Sequence, residues 1–109
     1  MKDNKQKIQH LNDVFRQTFN GGKVVLTKNI SILPSEELSA IIHQVQTYNN
    51  FNKGNDPYGE HDFGSLEHNG NTIFWKIDYY DSEYCFFSNN PACPDSTNRV
   101  LTIMFAHEY

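Results

Sequence analysis

No stretch of the sequence approaches the ~18 consecutive apolar residues that a bilayer-spanning helix requires. The opening residues, MKDNKQKIQHLNDVF, are too polar for the apolar segment of a secretion signal. The expectation is a cytoplasmic protein with no membrane partner. Cysteine is scarce: Cys85 and Cys93 are the only two, and they stand eight positions apart. That spacing is neither a C-x-x-C redox pair nor a zinc pair, and it predicts two free thiols in or near a loop. There is no H-E-x-x-H and no G-x-S-x-G, so neither the zinc-protease helix nor the serine-hydrolase elbow is present. Gly54, Gly59 and Gly64 are evenly spaced, but they precede no helix and lie among acidic residues, which excludes a phosphate-cradling loop. Basic residues are few and scattered in the first half: Lys2, Lys5, Lys7, Arg16, Lys23, Lys28 and Lys53. Direct nucleic-acid binding needs them clustered, so none is expected.

What the chain does have is apolar and aromatic material and an uneven charge. Its 109 residues are 38% hydrophobic and 14% aromatic, enough for one domain, residues 1–109, with one core and no disulfide or metal. The net charge of −4 divides into +3 over residues 1–53 and −7 over residues 54–109. The acidic part is densest from Asp56 to Glu83, where four Asp and three Glu face Lys76 alone. Such a half favours a basic partner or a cation.

Ile8, Leu11, Phe15 and Phe19 recur at helical spacing and predict a helix over 5–19, stopped by Asn20-Gly21-Gly22. Val24–Thr27 reads as a strand. Pro34-Ser35-Glu36-Glu37 opens a second helix, with Ser35 as a cap and Leu38, Ile41, Ile42, Val45 and Tyr48 as its stripe. Asn69-Gly70 is the strongest short hairpin signal, because both central residues of a type I′ turn need positive φ. With that turn, Leu66 opposes Ile73 and Gly64 opposes Trp75, so Leu66, Ile73, Trp75, Ile77 and Tyr79 share a core face. The other face then carries His61, Phe63, Glu67, Phe74, Lys76, Asp78 and Tyr80, with His61 opposite Asp78. Residues 82–98 are turn-rich, and Val100–Ala106 is a short β-branched run read as a strand. The expected fold class is α+β: two helices packed on one face of a small, mostly antiparallel four-stranded sheet, in the order α-β-α-β-β-β.

Asp-Pro-Tyr-Gly-Glu-His-Asp-Phe-Gly at 56–64, Trp-Lys-Ile-Asp-Tyr-Tyr-Asp at 75–81, and Arg-Val-Leu-Thr-Ile-Met at 99–104 followed by Glu108-Tyr109 resemble a bacterial family catalogued as domain of unknown function 3768. Leu11-Asn12-Asp13 with Phe15-Arg16 is similar to the opening of that family. The resemblance implies a protein encoded largely in proteobacterial genomes and on mobile elements. It brings no activity and no catalytic residues. In one place the chain departs from the pattern: Asn89–Pro94 is less acidic than the Asp-Pro-rich version of relatives, so if that loop holds a cation in relatives, this chain holds it less well.

Three chemistries suit the residues. A metal-dependent hydrolase or nuclease would gather Asp56, Glu60, His61, Asp62 and Asp78, with His107 and Glu108 nearby and Lys76 assisting. The plainer interpretation has Glu60, Asp62 and Asp78 capping loops and His61 paired with Asp78. A metal-free acid–base site would use His61 oriented by Asp78, but no nucleophile stands out beside it. The third is a non-enzymatic protein-binding module, and it is the reading preferred from the sequence. Its surface would comprise Asp56, Tyr58, Glu60, His61, Asp62, Lys76, Asp78, Tyr80 and Asp81, with no cofactor and no metal. The expected partner is a protein, in the sharpest form a basic nucleic-acid-binding protein of a host defence whose channel the acidic surface occupies.

Overall fold

The computed structural model describes residues 4–109. Helix α1 (Asn4–Thr18) forms where the periodicity placed it, and it buries Ile8 and Phe15. The same buried stripe also holds Asn12 and Arg16. Its end differs from the expectation. Phe19, rather than a glycine, takes the left-handed conformation (φ 61°), and its amide donates to the Phe15 carbonyl at 2.6 Å.

Strand β1 (Gly22–Leu26) follows, then an unforeseen single turn of helix, α2 (Lys28–Ser31), which buries Ile30. In α3 (Ser35–Gln46) the capping position is Pro34 and Ser35 is the first helical residue, so Ser35 makes no cap bond. Glu36 and Glu37 occupy the first turn, where the helix dipole favours negative charge.

Strands β2 (Phe63–His68) and β3 (Asn71–Tyr80) make the hairpin. Asn69 (φ 50°) and Gly70 (φ 79°) both adopt positive φ, as a type I′ turn demands. The register is the expected one, with Leu66 opposite Ile73 and Gly64 opposite Trp75. Strand β4 (Asn98–Phe105) pairs antiparallel with β3 and parallel with β1, giving the order β1-β4-β3-β2. The fold is α+β, and the sheet is antiparallel except for the β1–β4 pair. Residues 81–97 form an irregular excursion, held by a Tyr80–Phe87 bridge and a 3₁₀ turn at Pro94–Ser96. As the spacing suggested, Cys85 and Cys93 are free thiols in this excursion.

All three helices pack on the same sheet face. Phe15, Ile30, Ile41 and Val45 join Leu66, Ile73, Trp75, Ile77, Leu101 and Ile103 in one cluster. Alternation along the strands sends Phe63, Phe74, Lys76, Asp78, Tyr80, Val100 and Thr102 to the opposite face. Among the described residues no helix covers that face. The chain end reaches it at one end, where Tyr109 meets Phe63 and Phe74 edge-on, and the 81–97 excursion reaches it at the other, where Phe87 stacks on Tyr80.

Candidate functional site

The loop that feeds the hairpin folds inward, toward α1. Asp56 is buried, and its Oδ1 accepts the backbone amides of Glu60 (3.0 Å) and His61 (3.1 Å). Glu60 is held twice: its carbonyl accepts Asn12 Nδ2 (3.0 Å), and its Oε1 accepts the Tyr79 hydroxyl (2.8 Å). His61 has positive φ (56°), which turns its ring out of the strand alternation. Its Nδ1 lies 2.9 Å from Asp13 Oδ1, and its Nε2 lies 3.7 Å from Asp56 Oδ2. The ring stacks on Phe51 with centroids 3.8 Å apart. Arg16 completes the group: it pairs with Asp13 (2.9 Å), donates to the Tyr48 carbonyl, and lies over the Phe51 and Trp75 rings.

The expected meeting of His61 with Asp78 therefore does not occur. The last bond of the hairpin ladder runs from the Ile77 amide to the Asp62 carbonyl. One residue further, the backbone turn at His61 sends its side chain to the helix side. Asp78 instead pairs along its own strand with Lys76 at 2.9 Å, and this hydrogen bond holds the lysine pKa above its usual value. Glu108 is equally remote. Its carboxylate accepts Thr27 Oγ1 (2.8 Å), Asn29 Nδ2 (3.1 Å) and the Phe105 amide (2.9 Å), latching the chain end to α2. Phe105 pairs with Ile73 next to the hairpin turn, whereas Asp78 pairs with Val100 toward the other end of the sheet. Among the described residues no three His, Cys, Asp or Glu side chains are arranged to hold a metal ion.

The nine residues expected to form one surface are thus divided. Asp56, Glu60 and His61 brace the loop against α1. Lys76, Asp78 and Tyr80 lie on the open sheet face. Asp81 adjoins that face and caps the excursion, its Oδ1 accepting the amides of Glu83 (3.1 Å) and Cys85 (3.0 Å). Tyr58 is exposed on the loop. Sequence reasoning missed Asn12, Asp13 and Phe51 as members of the helix-side group. The available signal was a polar pair, Asn12 and Arg16, set four residues apart on the apolar stripe of α1.

Asp62 stands between the two groups and makes no ion pair with a described residue. Burial, reinforced by the charges of Glu60, Asp56 and Asp78, pushes its carboxyl up from 3.8 to about 6. A carboxyl raised in the folded state penalises folding when ionised, fully above about pH 6 and not at all below the unfolded value. Asp62→Asn should therefore stabilise the protein at pH 7. After allowance for solvent screening the gain is about 1 kcal/mol, or ~5 °C in melting temperature. The gain should fade as pH falls toward 4. Thermal melts of both proteins between pH 4 and 7.5 check this, and a gain independent of pH contradicts the assignment.

Tyr80 opens the aromatic end of the uncovered face. Its ring stacks with Phe87 (centroids 5.6 Å apart) and meets Tyr84 at 6.3 Å, and Lys23 lies 4.2 Å from the centre of the Tyr84 ring. Phe86 and Phe87 are 76% and 70% exposed. Phe63, Phe74 and Tyr109 form a second aromatic group on the same face.

A family model described as "Protein of unknown function (DUF3768)" matches residues 26–108. The chain belongs to this family. The DUF3768 match takes in the Asp56–Asp81 stretch, both hairpin strands and β4, and it begins after α1, so Asn12, Asp13 and Arg16 lie outside it. No curated protein and no solved structure matches the chain. No helix among the described residues is long and apolar enough to cross a membrane.

Proposed function

We propose that the protein is a binding module for a basic protein surface, and that the uncovered face of its sheet, with the adjoining 81–90 excursion, is the docking surface. The observation that carries this reading is the exposure of Phe86 and Phe87 beside Tyr80 and Tyr84, at the edge of a sheet face without a covering layer. Exposed apolar groups of this size gain free energy when a partner removes them from water. Aromatic anchors supply much of the binding energy of an interface. Glu67, Asp78, Asp81 and Glu83 lie on or next to this face, with Lys23 and Lys76 the cations among them. The balance favours a partner bearing Lys and Arg, and it speeds the encounter at low salt. In its sharpest form the partner is a nucleic-acid-binding protein of a host defence, whose basic groove the face occupies. Asp56, Glu60 and His61 support this surface indirectly, by fixing the loop behind it.

The test is capture from bacterial lysate by immobilised wild type, by a Phe86→Ser/Phe87→Ser variant and by Glu83→Lys. The wild type should retain a basic protein that is released by salt. The double variant should retain about tenfold less or lower still, as loss of a hot spot predicts. Glu83→Lys should weaken capture at low salt more than at high salt. Equal retention of the same proteins by all three would overturn the reading.

A further inference from the structure

Between the C-terminal half of α1 and the Pro94–Ser96 turn lies a cleft of about 200 Å³. Leu11, Val14, Phe15 and Pro94 give it apolar walls, His10 lies at its margin, and among the described residues Arg99 is the only Lys, Arg, Asp or Glu that lines it. Arg99 is 3% exposed. A guanidinium keeps its proton in a protein, and a charge taken out of water ordinarily carries a counter-ion. Among the described residues no carboxylate makes an ion pair with Arg99. Both of its hydrogen-bond acceptors are neutral: Nε donates to Asn12 Oδ1 (2.8 Å), and Nη2 donates to the Pro91 carbonyl. Nη1 donates to no described group. The guanidinium carbon lies over the Tyr79 ring, 5.3 Å from the ring centre. The Glu60 carboxylate, bonded to the Tyr79 hydroxyl, acts on Arg99 only at longer range. Burial lowers the Arg99 pKa, as expected of a cation short of compensating charge.

We propose that this cleft binds a small organic carboxylate with an apolar body, the carboxylate on Arg99 and the body against Leu11, Val14, Phe15 and Pro94. The volume is below the roughly 300–1,000 Å³ of sites that take drug-sized ligands, so the ligand is smaller than those. One guanidinium with two of its nitrogens already engaged matches a single negative charge. A phosphate monoester would bring nearly two charges into a protein of net charge −4. Arg99 is prepaid in geometry, because Asn12, Pro91 and Tyr79 hold it before any ligand arrives. This site is separate from the uncovered sheet face, since Arg99 belongs to the register that faces the helices.

The experiment is calorimetric titration of the full chain with phenylacetate, phenylacetamide and phenyl phosphate. Phenylacetate should bind, and the isosteric amide should bind at least about tenfold more weakly, the loss expected when a charged hydrogen bond becomes neutral. Arg99→Met should abolish the preference for the acid, but loss of Arg99 also strips Asn12 of a partner and endangers folding. Val14→Trp is the independent variant. Val14 is exposed on α1 at the cleft, so tryptophan there fills the space while leaving Arg99 and its bonds in place. It should abolish phenylacetate binding with the melting temperature kept. The proposal is overturned by equal binding of acid and amide, by absence of phenylacetate binding at millimolar concentration, or by undiminished binding to Val14→Trp. Tighter binding of phenyl phosphate than of phenylacetate overturns the assignment to a singly charged ligand.

Discussion

Gly64→Ala should lower the melting temperature by ~15 °C, corresponding to about 3 kcal/mol for a domain of this size. The whole stability of such a domain is roughly 5–15 kcal/mol, so this loss from one methyl group is large. Gly64 is buried in β2, directly opposite Trp75. A Cβ there would fall on the indole Nε1 and within 2.7 Å of Tyr48 Cζ. Neither ring can retreat. Trp75 is fully buried and packs edge-on against Tyr48 (5.5 Å between centroids) and Phe51 (6.1 Å). Thermal denaturation followed by circular dichroism measures the effect. Trp75→Phe in the Gly64→Ala background removes the clashing ring and should recover part of the loss, because mutations in contact are not additive. A melting temperature unchanged by Gly64→Ala would show that the Tyr48–Trp75 packing is looser than described.

The second large effect is expected at Asn12. Asn12→Leu keeps the branching and the heavy-atom count of the side chain but replaces its polar atoms with bulkier methyl groups, and it should cost about 3 kcal/mol or more. The side chain is fully buried on α1. Its Nδ2 donates to the Glu60 carbonyl (3.0 Å) and the Tyr79 hydroxyl (2.8 Å), while its Oδ1 accepts Arg99 Nε (2.8 Å). One amide thus links helix, loop, β3 and β4. Leucine would leave the buried Arg99 with a single acceptor and the Glu60 carbonyl without this donor. The loss should appear as a lower denaturation midpoint with an unchanged slope. It should be accompanied by faster hydrogen exchange over residues 56–62, which α1 no longer holds. A loss below about 1 kcal/mol would mean that the four elements are held together by the apolar contacts alone.

These two sites mark the boundary between what could be read in the chain and what could not. Gly64 was legible. A two-residue turn fixes the register of a hairpin, and the register places glycine against tryptophan without any knowledge of the rest of the fold. The helices of residues 4–18 and 35–46 were legible for a similar reason, since apolar spacing of three and four reports a local geometry. The β-branched run before Phe105 resolved as β4, although periodicity in seven residues does not separate strand from helix. Asn12 was not legible as a hub. Its partners Glu60, Tyr79 and Arg99 are 48, 67 and 87 positions away in the chain, and no local pattern encodes such contacts.

The same division applies to the acidic stretch. Its composition, its hairpin and the core face of that hairpin follow from the sequence, because turn chemistry and strand alternation act between near neighbours. Which of its carboxylates remain on the surface is decided by tertiary structure. Extending the alternation back to His61 predicted a pairing with Asp78, but a single residue of positive φ sends the ring to Asp13 on α1. Asp56 and Glu60 are then used as internal acceptors, because a loop folded against a helix must satisfy its buried amides and hydroxyls. The sequence by itself determined the α+β class, the two main helices, the hairpin register and the position of the aromatic core. Only the packing of α1 on the loop and of β1 beside β4 decided which polar groups are internal and which sheet face is left open, since both depend on long-range contacts that burial, not local propensity, selects.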